Sequence, residues 1–362
     1  MLKILYISPE NTVGTLSYWK RGHKQMGNYC RFVTFYSHPA GYEEDICLNL
    51  PLLSPSRTYM NIRDKISKLL EKRDYWSELK GYPPIWNPPE WKKKIFRLRE
   101  RIWEPKINRA IQQYNLTDFD IYHFEWGTDF YRDAKFAKRL KAAGKKIICH
   151  YHGKDMRNRG VIKELDEISD LNLTNELDLL YKHPNIKYLF LPFDVLSFEP
   201  KETVGEPITI CHAPTHRRIK GTEYIIKAIN ELKKKYKFNF ILIENMPHYR
   251  ALEIKSRADL LIDQVTDLAW GYGMNSIEAL SMGVACATYL NPTYEKFIPD
   301  HPFINVNIEN LTERLEEYLR NPELLKKKGL EGRKWVEKYH DYRNVIKKLY
   351  EYYEKELNID IG

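Results

Sequence analysis

The sequence predicts an α/β protein of two domains, each built on a parallel sheet. Apolar runs rich in β-formers alternate with helical stretches through both halves of the chain. SFEPKETVGEP (197–207) mixes Pro, Gly and charge between the halves, as linkers do. A length of 362 residues suits about two domains, each with its own core. The expected division is 1–198, then 199–340, then a C-terminal helix, 341–362, packing back on the first domain. Ligands of such sheets sit at the carboxyl ends of the strands, so the natural site is a cleft between the two domains.

LKILYIS (2–8) alternates in polarity and opens the first sheet. A loop with Pro9 and Gly14 leads to a helix over 15–26 and a second strand, RFVTFY (31–36). GYPPIWNPPEW (81–91) carries four prolines, which forbid a continuous helix, so two amphipathic helices are expected on either side, about 57–79 and 89–113. DIYHFE (120–125) reads as a strand, 132–143 as a helix ended by Gly144, and KKIICHYH (145–152) and NIKYLFLPF (185–193) as strands. In the second half PITICHA (207–213) is a strand, and Thr222 is the expected N-cap of a helix with Ile225, Ile226, Ile229 and Leu232 on one face. FNFILIE (238–244) is a strand, 248–257 a helix, ADLLIDQ (258–264) a strand end, and the tail from about 311 to 357 is helical and charged.

Hydrophobic residues make up 43% of the chain and charged residues 30%, the composition of a soluble globular protein. No run approaches the ~20 apolar residues that span a bilayer, and MLKILYISPE is a strand pattern too short for a signal peptide. The five cysteines (Cys30, Cys47, Cys149, Cys211 and Cys286) are scattered without a CxxC pair, so buried free thiols in a reducing compartment, the cytoplasm, are expected. The net charge of +9 is uneven: between Arg57 and Arg109 fifteen Lys or Arg face seven Asp or Glu, and four of the eight Trp lie there. That asymmetry points to an anionic partner met by one region. Trp91, Ile95, Leu98 and Ile102 share one helical face with Lys92, Lys93 and Arg99 off it, which fits either an anionic membrane surface or a core-facing helix with a solvated charged side.

Residues 258–288 organise the second half. The run Leu260–Ile262 ends in Asp263 and Gln264, a loop carries Gly271 and Gly273, and Asn275 is expected to cap a short helix that holds Glu278 and closes at Gly283. A glycine turn into a helix N-terminus lets backbone approach a ligand and aims free N–H groups and the positive dipole end at an anion. Gly271-x-Gly273 lacks the third glycine of a dinucleotide fingerprint. With Asn275 as N-cap, Glu278 could also serve only a capping box.

HGKD (152–155), RRIKGTEYIIKAINEL (217–232), ADLLIDQ (258–264) and GYGMNSIEALSMGVA (271–285) resemble the retaining glycosyltransferases of family 4. The resemblance implies the GT-B fold, two Rossmann-like parallel-sheet domains facing an interdomain cleft, and no metal or other cofactor. It also implies transfer of a sugar, with retention, from a UDP-, GDP- or similar nucleotide sugar to a cell-envelope glycan or lipid-linked acceptor, at the inner face of the membrane in many relatives. Segment 37–117 matches nothing in that pattern.

By the same resemblance, Lys220 looks like the lysine that contacts the donor diphosphate. Thr215 stands where an arginine usually precedes it, so Arg217 or Arg218 could supply that charge. Fixed cations there stabilise the charge that grows on a departing diphosphate; the alternative is a solvated basic loop. Glu278 resembles the ribose-binding second glutamate of a Glu-x7-Glu motif, and Trp270 occupies the place of the first. Gln264, Gly271, Tyr272, Gly273 and Met274 complete the donor side. His152 resembles the histidine near the sugar's reactive centre, orienting rather than acting as a base. Gly14, His123, Glu125 and Asp155 fall on the acceptor side, beside Gly127 in HFEWG.

Asp118-Phe119-Asp120 has the form of a metal-binding DxD but precedes a strand, which makes it a loop. Two rival readings stay open: a nucleotide-sugar-binding protein without catalysis, suggested by Trp270, and a nucleic-acid binder, suggested by the basic charge. No nucleic-acid module is recognisable and the charge is confined to one segment, so no nucleic-acid partner is expected.

Overall fold

The computed structural model describes residues 1–52, 76–77, 83–268 and 271–359. Of the helix expected over 57–79 only 76–77 are described, and they form a strand instead; Trp270 lies outside the described residues. The chain forms two compact units, Met1–Phe190 with Val345–Gly362, and Leu191–Asn344.

In the first unit the strands are β1 (Lys3–Ser8), β2 (Tyr29–Thr34), β3 (Ile46–Cys47), β4 (Trp76–Ser77), β5 (Ile85–Trp86), β6 (Ile121–Glu125), β7 (Lys146–Tyr151), β8 (Leu171–Thr174) and β9 (Ile186–Tyr188). Seven of them make one parallel sheet in the order β3-β2-β1-β6-β7-β8-β9, while β4 and β5 pair antiparallel. Its helices include α1 (Thr15–Gln25), α2 (Glu90–Gln113), α3 (Lys135–Ala142), α4 (Lys154–Asn158) and α5 (Lys163–Asp166). The central strands are buried on both faces, as a parallel sheet requires, and so read as continuous apolar runs.

The second unit holds β10 (Thr209–His212), β11 (Asn239–Leu242), β12 (Leu260–Ile262), β13 (Ala285–Thr288) and β14 (Ile304–Asn305). They form a five-stranded parallel sheet in the order β11-β10-β12-β13-β14. The helices are α6 (Arg217–Lys220), α7 (Thr222–Leu232), α8 (His248–Ser256), α9 (Met274–Ser281), α10 (Pro292–Phe297), α11 (Leu311–Arg320) and α12 (Glu323–Tyr339). Helix α13 (Tyr342–Leu357) starts here and continues into the first unit. There Val345, Ile346, Leu349, Tyr350 and Tyr353 complete a core with Ile4, Tyr6, Trp19, Phe32 and Ile148.

Strand order reverses between β1 and β6 in one sheet and between β10 and β12 in the other. These switch points open crevices at the strands' carboxyl ends. Glu125 and His150 are register partners on β6 and β7, and His212 lies opposite Ile262 on β10 and β12.

Several local expectations change. Thr222 is not an N-cap: Gly221 occupies that position, and the Thr222 hydroxyl meets His212 Nε2 at 2.8 Å. Asn275 is not one either; Gly273 precedes α9, and Asn275 donates to the Ala213 carbonyl at 2.7 Å. Tertiary partners outbid the local cap in both cases. The tail is three helices, with Pro322 beginning α12 and His340-Asp341 separating it from α13. The DxD residues precede β6 as expected: Asp118 pairs with Lys3 Nζ at 2.8 Å, and Asp120 accepts the Lys3 N–H at 2.8 Å. No helix among the described residues is long and apolar enough to cross a membrane.

Candidate active site

In the second unit the site is assembled at the end of β12. Helix α6 ends at Gly221, whose φ of +73° is left-handed, and a Cβ there would lie 2.6 Å from Val265. Only glycine makes that turn against the β12 exit without strain. The turn sets Lys220 Nζ 2.7 Å from Asp263 Oδ1 and 3.3 Å from Gln264 Oε1. Asp263 is buried and also accepts the Ser276 hydroxyl at 2.7 Å. Burial alone would raise its carboxyl, but Lys220 and the Ser276 hydrogen bond outweigh that and hold it below the usual carboxylate range. Gln264 Nε2 donates to the Gly271 carbonyl at 2.6 Å. One chain of contacts thus joins α6, the β12 end, the glycine loop and the start of α9.

Gly271 packs so closely that a Cβ would fall 2.4 Å from the Tyr294 ring, whereas a Cβ on Gly273 would meet nothing within 4 Å. Among the described residues no side chain caps α9. Its N-terminus, where the dipole and the first N–H groups favour an anion, is thus uncapped among the described residues. Met274 is buried, and the Tyr272 side chain turns into an aromatic cluster, its hydroxyl 2.8 Å from His340 Nε2 and its ring 4.7 Å from that of Phe303.

Glu278, on that helix, is buried. Its Oε1 accepts from His248 Nε2 at 2.7 Å, and Oε2 pairs with the buried Lys255 ammonium, which also reaches Asn275 Oδ1 at 2.5 Å. Burial would raise its carboxyl; Lys255 and His248 keep it below the usual range. Each oxygen keeps a second lone pair, so a further donor is chemically admissible. The sequence reading missed His248 and Lys255, although their spacing of seven puts them on one face of α8. Arg217 turns away to Glu223 and Glu244, both at 2.7 Å, and Arg218 is exposed.

In the first unit the carboxyl ends of β6 and β7 bring Glu125, His150 and His152 together. Glu125 Oε2 lies 2.5 Å from His152 Nε2, and Oε1 lies 3.5 Å from His150 Nδ1. His152 Nδ1 meets Asn175 Oδ1 at 2.9 Å. Burial disfavours a charged His152 ring, but the Glu125 hydrogen bond and charge outweigh it and raise the ring to about 9. Burial likewise works against the Glu125 carboxylate, and the two histidines hold it well below the usual range. Burial lowers His150. At neutral pH the arrangement is an imidazolium–carboxylate couple beside a neutral imidazole.

The three residues each offer a ligand atom, all within 4.8 Å of one another. That donor set suits a divalent transition metal, but an ion would have to replace the Glu125–His152 hydrogen bond. Asp155 is buried and accepts the N–H groups of His152 at 3.0 Å and Met156 at 2.7 Å, which fixes the His152 backbone. Gly14, with φ +76°, precedes α1. His123 does not join the group: it is buried under α13, with Nε2 2.5 Å from the Tyr353 hydroxyl and its ring stacked on Tyr6 at 4.2 Å. It was expected on the acceptor side, and its pairing with a helix from the chain's other end has no signal in HFEWG.

No protein-family model and no curated protein matches the sequence. Solved structures do. Sucrose-phosphate synthase from Thermosynechococcus elongatus aligns with a TM-score of 0.60 at 11% identity, over 99% of this chain and 100% of that one. HepE of Anabaena in complex with UDP-glucose aligns at 0.58 and 11%, over 98% and 100%. TarM of S. aureus, in a complex that includes UDP, aligns at 0.58 and 10%, over 97% and 99%.

The chain has the GT-B fold.

At these identities the likeness is one of architecture. Within GT-B, the Lys220 group and the Glu125–His152 couple stand at the carboxyl edges of the two sheets.

Proposed function

We propose that the chain is a glycosyltransferase that moves a sugar from a nucleoside diphosphate sugar to a cell-envelope glycan or lipid-linked acceptor, with retention and without a metal ion. The observation that carries this is Lys220, fixed by Asp263 and Gln264 beside the uncapped N-terminus of α9. A preorganised ammonium and helix dipole oppose the charge that develops on a departing diphosphate, and need no rearrangement to do so. The reading is supported by fold neighbours solved with UDP-glucose or UDP. Ribose hydroxyls are assigned to Glu278, whose oxygens retain lone pairs beyond His248 and Lys255. Arg217 is left out of the donor contacts, because Glu223 and Glu244 hold it.

His152 is assigned an orienting role. A ring raised to about 9 is already protonated at neutral pH and cannot remove a proton from an acceptor hydroxyl. In a retaining transfer of this kind the leaving phosphate oxygen takes that proton, so the chain supplies position and charge. Peripheral contact with an anionic membrane through α2 belongs to the same reading.

Calorimetry with UDP, GDP and their sugars tests the proposal. We expect Lys220→Ala to weaken diphosphate binding by about ten- to a hundred-fold, the worth of a charge-assisted contact or two, and Arg217→Ala to leave it near wild type. Removing Lys220 also leaves Asp263 buried and unpaired, so the double variant Lys220→Met with Asp263→Asn separates lost binding from lost stability. Failure to bind any nucleoside diphosphate would sink the reading. Donor hydrolysis without acceptor distinguishes an enzyme from a binding protein that has lost catalysis.

A further inference from the structure

A cavity of about 430 Å³ opens in the first unit, within the range of small-molecule sites. Among the described residues it is lined by β5, α2, the loop that carries Arg132, and α5. Neither Glu125 nor His152 lines it, and nothing above assigns it a role. Its walls alternate aromatic and charged side chains. Trp86 and Phe96 flank the Arg132 guanidinium, whose carbon sits 5.5 Å and 5.7 Å from the two ring centroids. Arg132 lines the cavity with the part of its side chain other than Nη1, which is closed off from the cavity and has no hydrogen-bond partner among the described residues.

The nearby carboxylate does not answer it: Glu100 Oε1 accepts the Arg132 backbone N–H at 3.0 Å. Burial, with Arg159 and Arg99 close by, lowers the Arg132 guanidinium to about 9, as expected of a cation short of counter-charge. Exposed Arg97 and Lys163 add positive charge at the rim, and Glu164 adds an acceptor. A lining of donors, acceptors and aromatic surface does not suit a polyanion, which wants cations alone. It does suit a molecule with hydroxyl edges, an apolar C–H face and one acidic group.

We propose that this pocket binds an anionic saccharide, with its carboxylate or phosphate on Arg132 and its ring against Trp86 and Phe96. The guanidinium fork matches either acid in a bidentate manner. The proposal stands on the pocket alone and is independent of the sugar-transfer reading.

The test titrates the full chain with four probes: glucuronate, glucose 6-phosphate, glucose and inorganic phosphate, followed by calorimetry and by tryptophan fluorescence. At least one of the two charged sugars is expected to bind about ten-fold more tightly than both glucose and phosphate, and the stronger of the two identifies the acid. Arg132→Gln should abolish that preference. Should Arg132→Gln fail to fold, the exposed pair Arg97→Glu with Lys163→Glu is expected to weaken the charged sugars about ten-fold while glucose is unchanged. Charged sugars bound no better than glucose would overturn the proposal, as would phosphate bound as well as glucose 6-phosphate without a preference for glucuronate. UDP binding measured on the same samples reports separately on the donor reading.

Discussion

At the scale of single residues, most of the chemistry lies in buried charges that neutralise one another. The Glu125–His152 couple gives a direct pH test. The folded ring titrates near 9, above its unfolded value near 6.5. Its stabilisation is therefore complete below about pH 6.5 and lost as pH rises through about 9. The effect is on the order of 3 kcal/mol for the pair taken once. Denaturant midpoints between pH 6 and 9.5 should fall with pH in the wild type and flatten in Glu125→Gln, whose His152 should titrate near or below 6.5 by NMR. Identical profiles would mean the couple does not hold the proton. The places of His152, Glu125, Lys220, Gln264 and Gly271 in the fold were legible in the sequence, because each stands at a strand end or in a glycine turn, where local pattern fixes position; their roles remain proposals. The partners of Glu278 were not, since a contact between α8 and α9 depends on packing. His123 was assigned to the wrong surroundings for the same reason: Tyr353 lies 230 positions away.

At the scale of elements, strands with long apolar runs were read within a few residues. β3, β8 and β14, which have two to four residues each, were missed, because such runs are too short to show a period. Caps at Thr222 and Asn275 were misread because a local rule lost to His212 and Lys255. Helix α2 was anticipated together with its faces. Trp91, Ile95, Leu98 and Ile102 are 47–61% exposed, while Phe96 and Glu100 turn to the cavity side. An exposed apolar stripe of four large side chains on a basic helix suits the headgroup region of an anionic bilayer. We expect co-sedimentation with phosphatidylserine vesicles at low salt, lost at high salt and reduced by about a hundred-fold or more by Lys92→Glu, Lys93→Glu and Lys94→Glu together, at about 1 kcal/mol per charge. Undiminished binding by that triple variant would exclude α2 as the contact.

At the scale of the whole molecule, alternation of strands and helices fixed the architecture, and 238 solved chains match it. A C-terminal helix packing back on the first domain was expected at 341–362, and Val345–Gly362 is grouped with Met1–Phe190. The buried side of α13 supplies Ile346, Leu349, Tyr350 and Tyr353 to a core that also contains Ile4 and Trp19. A fragment of residues 1–190 should therefore lack cooperative unfolding by calorimetry and bind a dye for exposed apolar surface. Adding a peptide of residues 342–359 should restore a cooperative transition. A sharp transition in the fragment alone would show that α13 is dispensable.

That closing helix also sets a timetable during synthesis. Residues 191–344 leave the ribosome before α13 does, so the second unit can fold while the first still has an apolar face uncovered. At ~5–20 residues per second, translating the second unit takes roughly 8 to 30 seconds, and the first unit must be shielded for that interval. A nascent chain stalled before α13 is the form on which chaperones are expected to act.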